Sequence, residues 1–251
     1  MRIFPKGDRL LLNIITITKD DIDGFLKTIN STKLLRESYN IKQIIVDGSS
    51  KDLRKEINKI VKKEKNVEYY WQESKGRSAA FNLGLSCINS EWVWFLNGGD
   101  EIYPNLDLRL FLDLLSKNNS DAIIFQLFYK QSGKTYLHPK MWALWPPVLS
   151  WIPHPSTITK RELYGKFGYF NENLKIAMDY EFWLRCFSKD VVVDLISIPI
   201  AIFDESGVSV RMEKETKAEV RKIIRKYFWT VIKMWLYGGK IILKSIKVSL
   251  K

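Results

Sequence analysis

Over the first 130 residues, apolar stretches of strand length alternate with longer polar or amphipathic ones. LNIITIT (12–18), KQIIVD (42–47), VEYYWQ (67–72), WVWFLN (92–97) and AIIFQLFY (122–129) are rich in β-branched and aromatic residues. Such side chains suit a pleated, buried surface and predict five strands. Helical patterns fill the gaps near 20–37, 50–64, 76–88 and 105–117. Alternation at this spacing predicts βαβ units, hence an α/β fold with a mostly parallel sheet covered by helices. Ligands of such sheets bind beyond the carboxyl ends of the strands. That rule directs attention to Thr18, Asp47, Glu73 and Asp100, three of which are carboxylates.

Past residue 130 the pattern changes. Residues 136–159 are rich in Trp and Pro with little periodicity and read as an ordered aromatic loop carrying Trp142, Trp145 and Trp151. Residues 160–189 read as a turn region followed by the helix AMDYEFWLRCFSK, and VVVDLISIPIAIF then reads as a strand. From 211 a basic helical pattern begins. Within 216–237 it places Val220, Ile223, Ile224, Tyr227, Val231, Met234 and Trp235 on one face. Gly238-Gly239 interrupts it, and Lys240, Lys244, Lys247 and Lys251 then share a narrow arc. The division expected is one domain over 1–210 and an amphipathic helical tail over 211–251.

Composition sharpens this organisation. With 251 residues, 46% hydrophobic and 27% charged, the chain can bury a core and is not disordered. Forty Lys and Arg against 28 Asp and Glu leave +12, which asks for an anionic partner. Residues 211–251 hold 12 Lys/Arg and 3 Glu, a net of +9, so the first 210 carry only +3. A basic amphipathic helix of this kind lies on anionic membrane surfaces. A tail packed on the protein's own body, with its Lys stripe solvated, gives the same pattern. The aromatic loop likewise suits either an interface or the core. The N-terminal apolar stretch is interrupted by Asn13, Thr16 and Thr18 and reads as a strand rather than a signal peptide. The longest run without formal charge, 141–159, contains Pro146, Pro147, Pro153 and Pro155, which rules out a spanning helix there. Cys87 and Cys186 form no disulfide framework or zinc spacing and read as buried free thiols.

Four segments carry candidate chemistry. FLNGGDE (95–101) ends a strand in Asn97-Gly98-Gly99-Asp100, where one carboxylate suits a hard divalent cation shared with substrate phosphates, or a helix cap. DGSS (47–50) offers Asp47 to a nucleobase or ribose, or is an ordinary strand-to-helix turn. In ESKGRSAAFNLGL (73–85), the small residues allow a helix to pack closely on the sheet. Arg77 and backbone N–H groups at that helix's start can meet phosphate. In AMDYEFWLR (177–185), Asp179 and Glu181 face different ways on a helix, so one can enter a cleft while the other stays solvated. Asp179 is the candidate base.

Order and spacing make the four together far more specific than any alone. With HPSTITKRELYGKFGYFNENLKIAMDYEFWLR, they resemble family 2 glycosyltransferases over roughly residues 11–210, especially bacterial surface-polysaccharide and O-antigen enzymes. The resemblance implies a GT-A, Rossmann-like fold and inverting transfer of a sugar from a nucleoside-diphosphate donor, most simply a UDP-sugar. A hydroxyl of a glycan or lipid-linked acceptor would receive it. Thr18 and Asp47 match positions lining base and ribose. Glu73, Gly76 and Arg77 match the segment closing over base and diphosphate, with Asn82 on the helix behind it. Asp100 matches the metal-binding Asp, for Mn2+ or Mg2+. Asp179 matches the catalytic base, Trp183 a ring supporting the sugar pocket, and His154 a position near acceptor or phosphates. Asn97 and Gly99 stand where many members carry carboxylates, and Asp204 and Glu205 where many carry a His. The expected location is cytoplasmic, peripheral on the inner face of the cell membrane, with no nucleic-acid partner. The alternative is a non-catalytic or nucleotidyltransferase-like protein that binds nucleotide sugars.

Overall fold

The computed structural model describes residues 10–39, 41–136, 152–189, 191–203 and 213–232. The expectations for Trp142, Trp145 and Trp151, for Asp204 and Glu205, and for the tail beyond 232 lie outside the described residues.

All five expected strands are present: β1 (Leu12–Thr18), β2 (Lys42–Asp47), β3 (Val67–Trp71), β4 (Trp92–Phe95) and, further on, β6 (Ala122–Tyr129). The two-residue β5 (Glu101–Ile102), β7 (Lys134–Tyr136), β8 (Thr157–Lys160) and β9 (Val193–Phe203) complete the described strands. Between them run α1 (Ile22–Ser31), α2 (Lys33–Tyr39), α3 (Lys51–Val61), α4 (Arg77–Ser86), α5 (Leu108–Lys117), α6 (Glu162–Phe167) and α7 (Met178–Phe187). A last helix, α8 (Glu213–Lys226), follows β9.

The strands form one sheet in the order β3-β2-β1-β4-β8-β6-β9-β5, with β7 paired to β6. Its first half, β3-β2-β1-β4, is all parallel, as the βαβ alternation predicts. The second half is mixed, because β8 pairs antiparallel with both β4 and β6 while β9 runs parallel to β6. Strand periodicity decides which face each side chain serves. Ile15, Val46, Phe95 and Ile124 join a core under α4, α6 and α7, while Leu12, Ile14, Trp92, Trp94 and Phe125 join one under α5. A smaller core around Ile45 takes Phe25 and Ile29 of α1 and Ile57 and Val61 of α3.

The single helix expected near 20–37 is two. Thr32, between α1 and α2, bonds back to the carbonyls of Thr28 and Ile29, both at 3.1 Å, and to Gln43 Oε1 at 2.7 Å. Beyond it, the fully buried Arg36 pairs with Glu64 at 2.8 Å and donates to the carbonyls of Lys65 and Ile29. A buried guanidinium is tolerated because its donors are satisfied in this way.

α8 lies against α7. Val220 and Ile223 are buried with Ala177, Tyr180 and Leu184, and Ile224, Tyr227 and Val231 pack on the same cluster. The apolar face seen in the sequence thus turns inward as far as it is described. No helix among the described residues is long and apolar enough to cross a membrane.

Candidate active site

Register places Thr18, Asp47 and Trp71 in one row across the carboxyl edge of β1, β2 and β3. The turns beyond them are tied together. Asp20, at φ 50°, donates its N–H to Ser49 Oγ at 2.8 Å and accepts from Ser50 N at 2.8 Å. Asp47 is fully buried, and its carboxylate accepts from Ser49 N at 2.8 Å and from the Tyr69 hydroxyl at 2.6 Å. Burial, then that bond, push the Tyr69 hydroxyl's pKa well up, so it stays a donor. Asp47 therefore shapes the floor of this edge from inside. Trp71 is exposed at its rim, its indole N–H on the Ser49 carbonyl at 3.2 Å and Arg54 4.5 Å from its ring.

Beyond β3, Glu73 and Gly76 are exposed, and Gly76 has φ 103°, a conformation that favours glycine. It ends the loop and opens α4 with no side-chain cap on the first-turn N–H groups beside Arg77. α4 sits close to β1: a Cβ on Gly84 would stand 2.5 Å from Ile15 Cγ2. Asn82, expected behind the nucleotide, is engaged at both ends of its amide. It donates to the Phe170 carbonyl at 3.0 Å and to Glu172 Oε1 at 2.9 Å, and accepts from Phe170 N at 3.0 Å.

At the end of β4 the chain turns through Asn97 to Asp100. Asp100 is buried, its Oδ2 accepts from Asn97 N at 2.8 Å, and the Thr28 hydroxyl donates to its carbonyl at 2.7 Å. Gly99, at φ 102°, donates its N–H to the Gly24 carbonyl at 2.9 Å and to Thr28 Oγ1 at 3.0 Å. Asn97 Oδ1 is buried with no hydrogen-bond partner among the described residues. One carboxylate beside one unsatisfied amide oxygen is a sparse but chemically apt donor set for a hard divalent cation that takes its remaining ligands from water and phosphate. No group of three or more His, Cys, Asp or Glu able to hold a metal occurs among the described residues.

The remaining side chains come from the second half of the sheet. His154 lies in a 3-10 turn (His154–Ser156) just before β8 and stacks on Phe95, with ring centroids 5.1 Å apart. Phe81 and Phe170 meet it edge-on at 5.3 and 5.6 Å. This enclosure lowers its pKa below the ordinary 6.5. Asp179 acts on it in the opposite sense and Arg77 in the same sense. His154 is thus where Arg77, from α4, and Asp179, from the first turn of α7, come within electrostatic reach of one ring.

Glu181 is not solvated, contrary to one expectation. It is buried, accepts from Arg185 Nη2 at 3.1 Å and takes the Tyr227 hydroxyl of the α8 segment at 2.6 Å. Asp179 is half-buried, and its Oδ1 accepts from Tyr180 N at 2.8 Å. Trp183 is buried in the α7 core against Phe182 and Phe187, its indole N–H without a partner among the described residues. Cys186 is buried and Cys87 half-buried, and both are free thiols.

An α/β sheet of this strand order, parallel in its first half and mixed in its second, flanked by helices, is a GT-A-like fold. Solved structures agree. Staphylococcus aureus TarS 1–349 in complex with UDP-GlcNAc superimposes with a TM-score of 0.69 at 15% identity, covering 94% of this chain and 72% of that one. The mannosyltransferase PcManGT of Pyrobaculum calidifontis, with GDP-Man and Mn2+, gives 0.62 at 14% identity over 92% and 70%.

The chain belongs to glycosyl transferase family 2, whose model matches residues 13–191. Among curated relatives, uncharacterised glycosyltransferases of Rickettsia conorii and Rickettsia typhi are 26% and 27% identical over 191 and 189 residues, 70% of this chain. The chain spans only 31% and 58% of their lengths. A Mycobacterium tuberculosis glycosyltransferase is 24% identical over 80% of this chain and 78% of its own length.

Proposed function

We propose that the protein is an inverting glycosyltransferase that moves a sugar from a nucleoside-diphosphate donor, a UDP-sugar, to a hydroxyl of a glycan or lipid-linked acceptor in surface-polysaccharide synthesis. The observation that carries this reading is the row Thr18, Asp47 and Trp71 across the carboxyl edge of β1, β2 and β3, in a chain whose residues 13–191 match family 2. The base and ribose lie over the row Thr18, Asp47 and Trp71, with Glu73 and Gly76 closing above. The diphosphate meets Arg77 and the uncapped start of α4, where an arginine fork and first-turn N–H groups both favour an anion. Trp183 backs the sugar pocket from within α7, and Asn82 acts on the donor only through the Phe170 segment it fastens.

In the reaction, the Asp179 carboxylate takes the proton of the acceptor hydroxyl as its oxygen attacks the anomeric carbon. The bond from that carbon to the diphosphate oxygen breaks, and its electron pair leaves with the nucleoside diphosphate. Attack on the face opposite the leaving group inverts the centre. Arg77 stabilises the charge that develops on the leaving group, and neutral His154 can donate one N–H to the acceptor or a phosphate without adding charge. Asp100 with Asn97 Oδ1 would hold Mn2+ or Mg2+, which supplies further electrostatic stabilisation to the diphosphate.

The division 1–210 and 211–251 separates the transferase from a segment with a second task. The described α8 segment is bound to α7 by one face and offers Arg221, Lys222, Arg225, Lys226, Phe228 and Trp229 on the other. That face suits an anionic membrane, consistent with a peripheral place on its cytoplasmic side. The stereochemistry tests the core of the reading. The enzyme is incubated with UDP-sugars and Mn2+ and the product's anomeric proton is read by NMR; inversion is expected, and retention overturns it.

A further inference from the structure

The segment between α6 and α7 carries the chain from the α4 side of the site to Asp179, and side chains from three helices tie it down. From α4, Ser78 Oγ donates to the Leu174 carbonyl at 3.0 Å and Asn82 grips Phe170. From α7, Arg185 reaches back to the carbonyls of Phe167 and Tyr169. The last fastening comes from α8, outside the region matched by the family. Glu219 accepts three consecutive backbone N–H groups: Lys175 at 2.9 Å on Oε1, and Ile176 at 3.0 Å and Ala177 at 2.9 Å on Oε2.

Three successive N–H groups form a concave anion site, and here they directly precede the first turn of α7. A carboxylate there also complements the positive end of the helix dipole. Ala177 is the N-cap and Asp179 stands two residues further on, so the backbone Glu219 holds is the backbone that aims Asp179. Burial works against the charge of Glu219, yet the three N–H groups, with Lys175 beside them, hold its carboxyl below the ordinary carboxylate range. A second tie, Tyr227 to Glu181 at 2.6 Å, repeats the connection one turn along α7.

We infer that Glu219 is a positioning residue for transfer: α8 fixes the entry of α7 through it, so the basic segment sets the base's geometry as well as any attachment. This rests on the proposed role of Asp179. Reacting groups tolerate little misplacement, since a shift of about 1 Å can cost about 100-fold in rate. The groups assigned to the base, ribose and diphosphate, Asp47, Arg77 and Asp100, lie on β2, at the start of α4 and beyond β4, whereas Trp183, assigned to the donor sugar, shares α7 with Asp179.

The test compares Glu219→Gln and Glu219→Asp with wild type in the full chain, measuring kcat, donor KM, UDP affinity by calorimetry and melting temperature. Glu219→Gln loses the charge and leaves an N–H donor facing N–H groups. It is expected to lower kcat about 10- to 100-fold while UDP affinity stays within about twofold. Glu219→Asp keeps the carboxylate on a shorter stem and recovers part of the lost kcat, which a purely stabilising contact does not require. Wild-type kcat in a folded Glu219→Gln protein overturns the inference, as does a loss of UDP affinity in proportion to kcat. If Glu219→Gln does not fold, Glu219→Asp decides: kcat lowered with UDP affinity kept supports the inference, and unchanged kcat overturns it. Asp179→Asn separates the two layers. Full turnover in that variant removes the base assignment itself, whereas a dead Asp179→Asn beside a wild-type Glu219→Gln removes only the role of Glu219.

Discussion

His154 is kept neutral by the aromatic rings around it, and this has a consequence for stability that can be signed. Its folded-state pKa lies below the ordinary 6.5 of the unfolded chain, so between those two values only the unfolded state takes up a proton. Stability attached to this residue is present above about pH 6.5 and is lost as pH falls toward the folded value. Denaturant midpoints at pH 7.5 and pH 5.5 should therefore drop more in wild type than in His154→Phe, which keeps a ring against Phe95 and has nothing to protonate; equal drops contradict this. At this scale the sequence was informative where chemistry sits at strand or helix ends. Thr18, Asp47 and Asp100 lie where the strand pattern placed them. Glu219 was not legible, because its partners are backbone N–H groups 42 to 44 residues earlier in the chain, and no side-chain pattern records a bond to backbone. Asp47 shows a different gap: its position was readable, but its two protein partners, Ser49 and Tyr69, were not.

Among elements, α4 has the least room. Its small residues, read in the sequence as close packing, include Gly84, whose added Cβ would fall 2.5 Å from Ile15 Cγ2. Gly84→Ala must shift Ile15 or the helix, and overpacking of this kind costs about 1–3 kcal/mol. Since α4 carries Arg77 at its start, the same shift should weaken UDP binding. A lower urea midpoint together with a raised UDP dissociation constant is expected, and wild-type values for both would show that the helix has slack. The elements that sequence reading missed are short or set by distant partners. β8 has four residues beside a Pro-rich run, too few for a periodic signal, and its place comes from antiparallel pairing with β4 and β6. β5 has only two residues and exists through β9. The break between α1 and α2 depends on Thr32 reaching Gln43 of β2, a contact that helical periodicity does not encode.

For the whole molecule, the +12 charge divides into a body of +3 and a C-terminal segment of +9. The segment's described part has two faces of different character. Its inner face, with Glu219 and Tyr227, belongs to the α7 contact, and its outer face exposes Phe228 at 50% and Trp229 at 77% beside four cations. Replacing Phe228 and Trp229 by Ser should reduce flotation with vesicles containing anionic lipid while leaving turnover on a soluble acceptor intact; unchanged flotation contradicts a membrane role for this face. The fold as a whole was legible because parallel βαβ units impose a repeating pattern on the chain. The joining of α8 to the site was not, because an amphipathic helix looks the same whether its apolar face meets lipid or protein. The proposed reaction depends on one carboxylate, Asp179. The most direct measurement is transfer by Asp179→Asn, made alongside UDP titration of the same protein. With the base removed, turnover should fall about 100- to 10,000-fold while UDP affinity stays within about twofold; near-normal turnover would contradict the account.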